Sequence, residues 1–225
     1  MRLVVVGIGH NRYCAKGDHI VKGEAAMEWP LRVSKFSVVI AAAMTAVFIA
    51  ILFAMDRPPI CACGDVKLWH GIVQSSENSQ HIADWYTPSH IIHGMIFYAV
   101  GWWMFVRRGW GGAQAFRWGL PLAVLLEGAW EVLENTPMVI GRFRSVTANF
   151  GYTGDSVLNS GADIIWMSFG FWLALRLPVK VTLALALIGE LVAGYVVRDN
   201  LTLNVIMLLF PIDAIAEWQA AGGVA

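Results

Sequence analysis

The chain has 225 residues, of which 57% are hydrophobic and 14% are charged, and its mean hydropathy is +0.59. Soluble domains carry about 45–50% apolar and about 25% charged residues. The 16 basic and 16 acidic residues cancel, which excludes a disordered chain and leaves no broad basic field for nucleic acid. Three cysteines are too few for a disulfide-stapled secreted domain. The composition therefore indicates a membrane protein.

Six apolar segments are predicted to form transmembrane helices. The first, residues 36–55, has 20 residues and no charge, and at 1.5 Å per residue it matches a hydrocarbon core of roughly 30 Å. The other segments are 88–106, 118–139, 156–175, 179–197 and 201–218. Pro211 and Asp213 weaken the last one, so the count is five or six. The predicted fold is all-α, a polytopic transmembrane helix bundle.

The distribution of Lys and Arg predicts the orientation of this bundle. The N-terminal segment and the loops on its side carry 11 of these residues, and the opposite loops carry 5. Because Lys and Arg accumulate on the cytoplasmic side, the N-terminus is predicted to be cytoplasmic. We expect a partly disordered cytoplasmic segment over 1–35, a single bundle over 36–218 and a tail over 219–225. Met27 would also serve as the start of a membrane protein.

With this topology, residues 56–87 form a 32-residue external loop. Loops longer than about 12–15 residues usually have a function or are disordered. Cys61 and Cys63 lie in this loop, whereas Cys14 lies on the other side of the membrane and cannot pair with them. The Cys-x-Cys-Gly sequence is compatible with a structural pair, a redox-active disulfide or two metal ligands.

Two histidines begin the second helix at its external end. The three-residue spacing of His90 and His93 puts both rings on one side of the helix. Two histidines with nearby carboxylates are the minimal ligand set for a divalent metal such as Zn²⁺. The candidate metal ligands are His81, Asp84, His90 and His93. The alternative is that His90 and His93 form hydrogen bonds with the external loop.

The third helix carries three carboxylates on one stripe. Glu127, Glu131 and Glu134 stand at positions i, i+4 and i+7, which face the same side of a helix. Three ionised carboxylates on one intramembrane face would repel each other, and each would be costly to bury. They therefore require protons, basic partners or a metal ion.

The fourth helix begins with a second polar stripe, formed by Asp155, Asn159 and Asp163. Glu190 of the fifth helix is predicted to lie at a similar depth in the membrane as these residues. Polar residues thus lie in the outer half of the bundle, where ionisable groups by default mark a functional site. The candidate catalytic residues are Glu131, Glu134, Asp155 and Asp163. The alternative is a structural polar network satisfied by Arg142, Arg144 and Arg198.

Several strings of the sequence carry a family resemblance: CACG, VKLWHG, SSENSQHIADWYTPSHIIHG, EGAWEVLEN and GYTGDSVLNSGADIIWMSFGFWLA. From about residue 36 onward, the chain resembles an uncharacterised family of bacterial multi-pass inner-membrane proteins. The resemblance implies a location in the bacterial plasma membrane and no particular activity. In one short motif, GDSVLNSGAD is similar to the Asp-x-x-x-Asn-x-x-x-Asp pattern of VanZ-like membrane proteins.

Three functions are compatible with these residues. The first is a membrane-embedded enzyme that acts from the periplasmic side on a lipid or lipid-linked substrate, with a carboxylate activating water and a divalent metal such as zinc. Without a GxSxG sequence, acyl-enzyme chemistry has little support. The second is a non-enzymatic assembly factor or complex subunit that docks through the external loop. The third is proton-coupled transport, against which stand the low helix count and the absence of an inverted repeat in the sequence.

Overall fold

The computed structural model describes residues 33–112, 114–146 and 151–221, and within these ranges all regular elements are helical. The α-helices are α1 (Lys35–Ala54), α2 (Thr87–Gly101), α3 (Gly119–Glu134), α4 (Pro137–Val146), α5 (Val157–Arg176), α6 (Val179–Val196), α7 (Leu201–Leu209) and α8 (Asp213–Ala220). The all-α prediction is therefore confirmed. The predicted N-terminal segment lies almost entirely outside the described residues, and with it Met27 and Cys14.

Three helices are long and apolar enough to cross a membrane: Lys35–Ala54, Thr87–Arg107 and Val179–Val196. The first begins where the Ser34 side chain accepts a hydrogen bond from the amide of Ser37. The second begins at Thr87 and carries Pro88 in its first turn, where proline is well tolerated. It continues beyond α2 as a π-helical segment, Trp102–Arg107. These elements agree closely with the predicted segments at the same positions.

The predicted helix over 118–139 is interrupted. It divides into α3 and α4, and the break falls at Asn135 and Thr136. Pro137 causes this break because proline lacks an amide hydrogen and keeps the preceding residue out of the helical region. As a result α3 ends at Glu134, and the chain turns before α4 begins.

The segment predicted as a sixth helix, 201–218, is also divided, with Pro211 between α7 and α8. Nine residues of α7 extend about 14 Å at 1.5 Å per residue, less than half of a hydrocarbon core of about 30 Å. Neither of the two short helices therefore crosses a membrane on its own.

Glu190 of α6 has a structural role at the start of α7. Its two carboxylate oxygens accept hydrogen bonds from the amides of Leu201 and Thr202, each at 3.0 Å. The first amides of a helix have no intrahelical acceptor, and a negative charge there is favourable. Glu190, which was predicted to lie at the depth of the other carboxylates, thus stabilises the α6–α7 connection.

Glycines allow α2 and α5 to lie close together. A Cβ atom added at Gly94 would lie 1.9 Å from the Met167 carbonyl oxygen of α5, and one at Gly170 would lie 1.9 Å from the Ile91 carbonyl oxygen of α2. Small residues permit such close helix packing. The loop-facing ends of α2 and α5, which carry the candidate site residues, are therefore held next to each other.

The predicted external loop packs against the end of the bundle. The carbonyl oxygens of Pro58 and Pro59 accept hydrogen bonds from the amides of Val157 and Leu158, at 2.8 and 3.1 Å. These are the first amides of α5, which lack partners within the helix. The loop therefore completes the start of α5.

Two side chains of α5 also hold the loop in place. Asn159 donates from Nδ2 to the carbonyl oxygen of His81 at 2.8 Å, and Trp166 donates from Nε1 to the carbonyl oxygen of Ile82 at 2.9 Å. Because buried backbone carbonyls need partners, these contacts fix the loop segment that precedes α2.

Candidate functional site

The loop-facing end of the bundle brings the predicted polar residues together. α2 and α5 begin at this end and α3 ends there, and a cluster of histidine and carboxylate side chains lies among these three helices. The side chains around which the site is built are His90, His93, Glu127, Glu131 and Asp163. We call these five residues the His–Glu cluster.

Glu127 lies between the two histidines. His90 donates from Nδ1 to Oε1 of Glu127 at 2.6 Å, and His93 donates from Nδ1 to Oε2 of Glu127 at 3.0 Å. Glu127 is 0% exposed. Sequence reasoning assigned Glu127 to the carboxylate stripe of α3 but not to the candidate catalytic or metal-binding residues. The structure assigns it the central position of the cluster.

Glu131 and Asp163 approach His90 from two sides. Oε1 of Glu131 lies 3.7 Å from Nδ1 of His90, and Oδ2 of Asp163 lies 3.6 Å from Nε2 of the same ring. Both carboxylate oxygens of Glu131 are buried, and neither has a hydrogen-bond partner. A buried polar atom without a partner is costly, so Glu131 requires a proton, a water molecule or a cation.

A cavity of about 160 Å³ opens beside the cluster. Its polar lining includes Asp84, His90, His93, Glu134, Asp155 and Asp163. Its apolar lining includes Trp130, Phe143, Leu201, Val205 and Leu208. The cavity therefore offers a ligand both acid–base groups and apolar contacts.

Tyr152 connects two of the predicted catalytic carboxylates. Its hydroxyl oxygen lies 2.9 Å from Oδ1 of Asp155 and 3.3 Å from Oε1 of Glu134. A phenol has a single hydrogen, which it donates to one of these oxygens at a time. Glu134 makes no other hydrogen bond among those of the described residues. The three groups form a short chain of proton-carrying side chains at the cavity.

Asn135 holds Asp155 in place. Asn135 donates from Nδ2 to Oδ2 of Asp155 at 3.0 Å, and its Oδ1 accepts a hydrogen bond from the amide of Asp155 at 2.8 Å. Burial raises the pKa of Asp155 to about 6, although hydrogen bonds from Tyr152 and Asn135 act in the opposite direction. Neither Tyr152 nor Asn135 was predicted from the sequence, because neither lies on a helical polar stripe.

Asp84 and His81, two of the predicted metal ligands, lie apart from Glu127. Asp84 borders the cavity, but its carboxylate accepts hydrogen bonds from the amides of Ser79 and Tyr86, at 3.1 and 2.8 Å. Burial raises the pKa of Asp84. His81 accepts a hydrogen bond at Nδ1 from the amide of Lys67, at 3.3 Å. The structure thus brings His90 and His93 together but leaves His81 in the loop.

The loop contains a second group of potential ligands. Cys61 and Cys63 form a disulfide, and they lie near His81 and Glu77. His81 donates from Nε2 to Glu77 at 3.2 Å, and Lys67 forms an ion pair with the same carboxylate. These groups already satisfy one another.

The three arginines considered as partners of the carboxylates bind backbone carbonyls instead. Arg142 donates to the carbonyl oxygen of Leu208 at 3.1 Å, and Arg198 donates to that of Trp218 at 2.7 Å. Arg144 donates to the carbonyl oxygen of Tyr152. Within the described residues, no Lys or Arg forms a salt bridge with a carboxylate of the His–Glu cluster. A network neutralised by these arginines is therefore not what the structure contains.

Comparisons with known proteins identify relatives over most of the chain. The sequence pattern of a family described as protein of unknown function (DUF2585) matches residues 52–221. A UPF0314 protein of Novosphingobium aromaticivorans is 53% identical over 175 residues, which are 77% of this chain and 87% of that protein. One from Sphingopyxis alaskensis is 53% identical over 192 residues, 84% of this chain and 98% of the relative. No solved structure matches the chain.

These relatives confirm the predicted resemblance to an uncharacterised family of bacterial proteins. A third relative, a UPF0314 protein of Agrobacterium fabrum, is 50% identical over 182 residues, 81% of this chain and 89% of that protein. The similarity to VanZ-like proteins in one motif stays a prediction.

Proposed function

Because the chain belongs to the DUF2585 family of proteins of unknown function, we propose its activity from its own site, as a multi-pass protein of the bacterial inner membrane. In this proposal α1, α2, α3, α5 and α6 cross the bilayer, and the N-terminus is cytoplasmic. The apolar character of three of these helices supports it, as does the 11-to-5 distribution of Lys and Arg. The cavity then opens on the periplasmic side, where α4, α7, α8 and the loop also lie.

The proposed function is that of a membrane-embedded enzyme acting on a lipid or lipid-linked substrate. The observation that carries it is the mixed lining of the cavity, in which histidine and carboxylate groups occur together with Leu201, Val205 and Leu208 of α7. A lipid likewise combines a polar headgroup with an apolar chain. Its headgroup would contact the acid–base groups while its chain lies along α7, since apolar contact favours that arrangement.

Glu134 is the proton donor in this proposal. Asp155 accepts hydrogen bonds at both carboxylate oxygens, from Tyr152 and Asn135. When the Tyr152 hydrogen is given to Asp155, Glu134 at 3.3 Å must carry its own proton to bond the phenol oxygen. A protonated carboxyl at the cavity supplies a proton to a leaving group. Asp163 and Glu131, beside His90, are the groups available to activate water.

A cavity-filling variant tests this proposal. Wild type, Val205→Trp and Val192→Trp are purified in lipid nanodiscs, and native mass spectrometry measures the lipid that each retains after detergent exchange. Val205 borders the cavity, whereas Val192 lies on α6, and the two are similarly exposed, at 46% and 47%. We expect Val205→Trp to lose the bound lipid and Val192→Trp to retain it. Equal retention in both variants would reject the cavity as a lipid site.

Turnover is tested separately with a bacterial membrane lipid extract. Liquid chromatography and mass spectrometry compare the extract after incubation with wild type and with Glu134→Gln. We expect a lipid-derived product with wild type and none with Glu134→Gln, because glutamine donates a hydrogen bond but no proton. The same products in both incubations would remove Glu134 from the chemistry.

A second candidate function is that of an assembly factor or complex subunit that docks through the loop. The observation that favours it is a row of exposed apolar side chains on the loop, with Leu68 80% exposed. The other members are Val66, Trp69 and Ile72. Under this alternative, Leu68→Asp lowers the recovery of a cross-linked membrane protein partner, whereas Glu134→Gln leaves it unchanged.

A further inference from the structure

We propose that His90, His93, Glu127 and Glu131 bind one divalent transition-metal ion, best matched by Zn²⁺, beside the cavity. The inference rests on the proposed function for the catalytic role of the ion, whereas binding of the ion is tested independently. It replaces the ligand set expected from the sequence, because two of those residues, His81 and Asp84, form other contacts.

Ligand atoms of three of these residues, His90, His93 and Glu127, lie within 4.8 Å of one another. Nδ1 of His90 lies 2.6 Å from Glu127, Nδ1 of His93 lies 3.0 Å from Glu127, and Glu131 lies 3.7 Å from His90. Metal–ligand bonds of about 2.0–2.2 Å in a tetrahedron separate neighbouring ligand atoms by roughly 3.3–3.6 Å. His90, His93 and Glu127 therefore reach a common ion by moving apart by up to about 1 Å. Glu131, which forms a group of this kind with His90 and Asp163, reaches the same ion by rotating its side chain.

Glu131 is the observation that points to a ligand. Both of its oxygens are buried, both lack a hydrogen-bond partner, and the side chain is directed at His90. Proton transfer to Glu131 would leave its second oxygen without a partner, and it would still leave the hydroxyl without an acceptor among the described residues. A metal ion bound to Glu131 removes this cost, and it also accounts for the histidines around Glu127.

The charges of the four ligands suit a divalent ion. Two neutral imidazoles and two carboxylates carry a charge of −2, which a divalent cation cancels. Cancellation matters here because an uncompensated charge is costly to bury in a membrane protein. No Lys or Arg takes this role within the described part of the chain, since the ion pairs of the cluster involve only histidine. Imidazole and carboxylate are ligands that zinc accepts readily.

Asp163 acts on the proposed centre through His90. When Nδ1 of His90 binds the ion, the remaining hydrogen is on Nε2, which lies 3.6 Å from Oδ2 of Asp163. A carboxylate on the far side of a ligating histidine fixes its tautomer and orientation. Asp163 is therefore a positioning residue rather than a ligand. When bound, the ion would supply the activation of water for which Glu131 and Asp163 are available without it.

The loop group is the competing location for a metal ion. Its two cysteines are joined in a disulfide, so they offer no thiolate. Nδ1 of His81 accepts a hydrogen bond from the Lys67 amide, so the ring hydrogen is on Nε2. Nδ1 is then occupied by this hydrogen bond, and Nε2, which carries the hydrogen, offers no lone pair to a metal ion. Glu77 is already paired with Lys67. These contacts favour the His–Glu cluster over the loop.

The experiment measures Zn²⁺ bound to the full-length chain. Untagged protein in detergent is stripped with a chelator, incubated with ZnCl₂ and separated from free ion by gel filtration, and its metal content is determined by mass spectrometry. We expect one Zn²⁺ per chain for wild type and none for Glu127→Gln or His93→Gln. The matched control, His81→Asn with Cys61→Ser and Cys63→Ser, should retain the wild-type stoichiometry.

Each outcome decides the proposal. A wild-type chain that retains no Zn²⁺ overturns it, and so does loss of Zn²⁺ in the loop control with retention in Glu127→Gln. If Glu127→Gln does not fold, Glu131→Gln tests the same ligand set: loss of the ion supports the proposal and full retention overturns it. Lipid retention by a chain that binds no Zn²⁺ overturns this inference alone. Zn²⁺ binding without lipid retention supports it and rejects the proposed function.

Discussion

Nδ1 of His90 lies 2.6 Å from Oε1 of Glu127, although the two residues are 37 positions apart in the sequence. The contact joins the first turns of α2 to the middle of α3, and His93 makes a second one to the other oxygen of the same carboxylate. Glu127, which is itself buried, thereby accepts hydrogen bonds from two histidines at once. Any change to this carboxylate affects both helices.

Glu127→Gln should therefore lower the stability of the metal-free protein by about 3 kcal/mol, the cost of breaking a buried ionic contact by removing one partner. The measurement is the midpoint of thermal unfolding in detergent, in the presence of a chelator. Glu190→Gln is not a neutral control because Glu190 caps α7. Glu77→Gln, at a half-exposed loop position, serves instead and should change the midpoint by much less. An unchanged midpoint for Glu127→Gln would contradict the role of its charge.

Gly94→Ala should destabilise the protein by about 3 kcal/mol or separate α2 from α5. The added Cβ would lie 1.9 Å from a carbonyl oxygen, and overpacking of this kind forces the backbone to move. Gly141→Ala is the control, because α4 leaves open space around that position. Alanine there should be neutral or stabilise by about 1 kcal/mol, since it is the better helix former. Thermal unfolding of both variants distinguishes close helix contact from a general intolerance of alanine.

The stability of the protein should fall as the pH rises from about 4 to about 6. Burial raises the pKa of Asp199 to about 6, against opposing hydrogen bonds from Tyr86, Asn204 and other groups. The folded state holds this proton more tightly than the unfolded state. The contribution of Asp199 to the free energy of unfolding is therefore fully present below its pKa in the unfolded chain, and it is lost as the pH rises through its pKa in the folded protein. A difference of about two pKa units corresponds to about 3 kcal/mol.

Asp199→Asn tests this dependence through unfolding midpoints measured at several pH values. The variant should show a smaller decrease than wild type over the same pH range. The decrease that remains is assigned to other buried carboxyl groups, among them Asp155, whose pKa burial raises to about 6, and Asp84, whose pKa burial also raises. A pH profile identical to that of wild type would show that Asp199 does not titrate there.

Glu134→Gln and Asp155→Asn should differ in stability although both replace a carboxyl with an amide. A glutamine donates a hydrogen bond to Tyr152, as a protonated Glu134 does, so its effect on unfolding should be small. An asparagine at 155 exchanges one acceptor oxygen for a donor in a group that accepts from both Tyr152 and Asn135, at a cost of about 1–3 kcal/mol. Equal destabilisation would show that Glu134 is ionised.

Several features of the fold follow from local sequence and were predicted correctly. α1 needs only an uncharged run of apolar residues and the Ser34 cap. The stripe of Glu127, Glu131 and Glu134 follows from helical periodicity alone. Proline positions were informative as well, but the interruption at Pro137 was missed because the apolar pattern continues across it. Most site residues named from the sequence lie on helices or beside their first turns, whereas Tyr152 and Asn135, which were not named, lie between helices.

The sequence by itself determined that this is an all-helical protein with ionisable residues at one end of its apolar helices, because composition and periodicity are local properties of the chain. The tertiary structure decided which of those residues meet. Glu127 rather than Asp84 lies between the two histidines because the distance between α2 and α3 depends on packing throughout the bundle. His81 is turned toward Glu77 because the loop folds back on itself through contacts that no helical periodicity describes. Such contacts depend on the positions of many side chains at once, and only the folded structure specifies them.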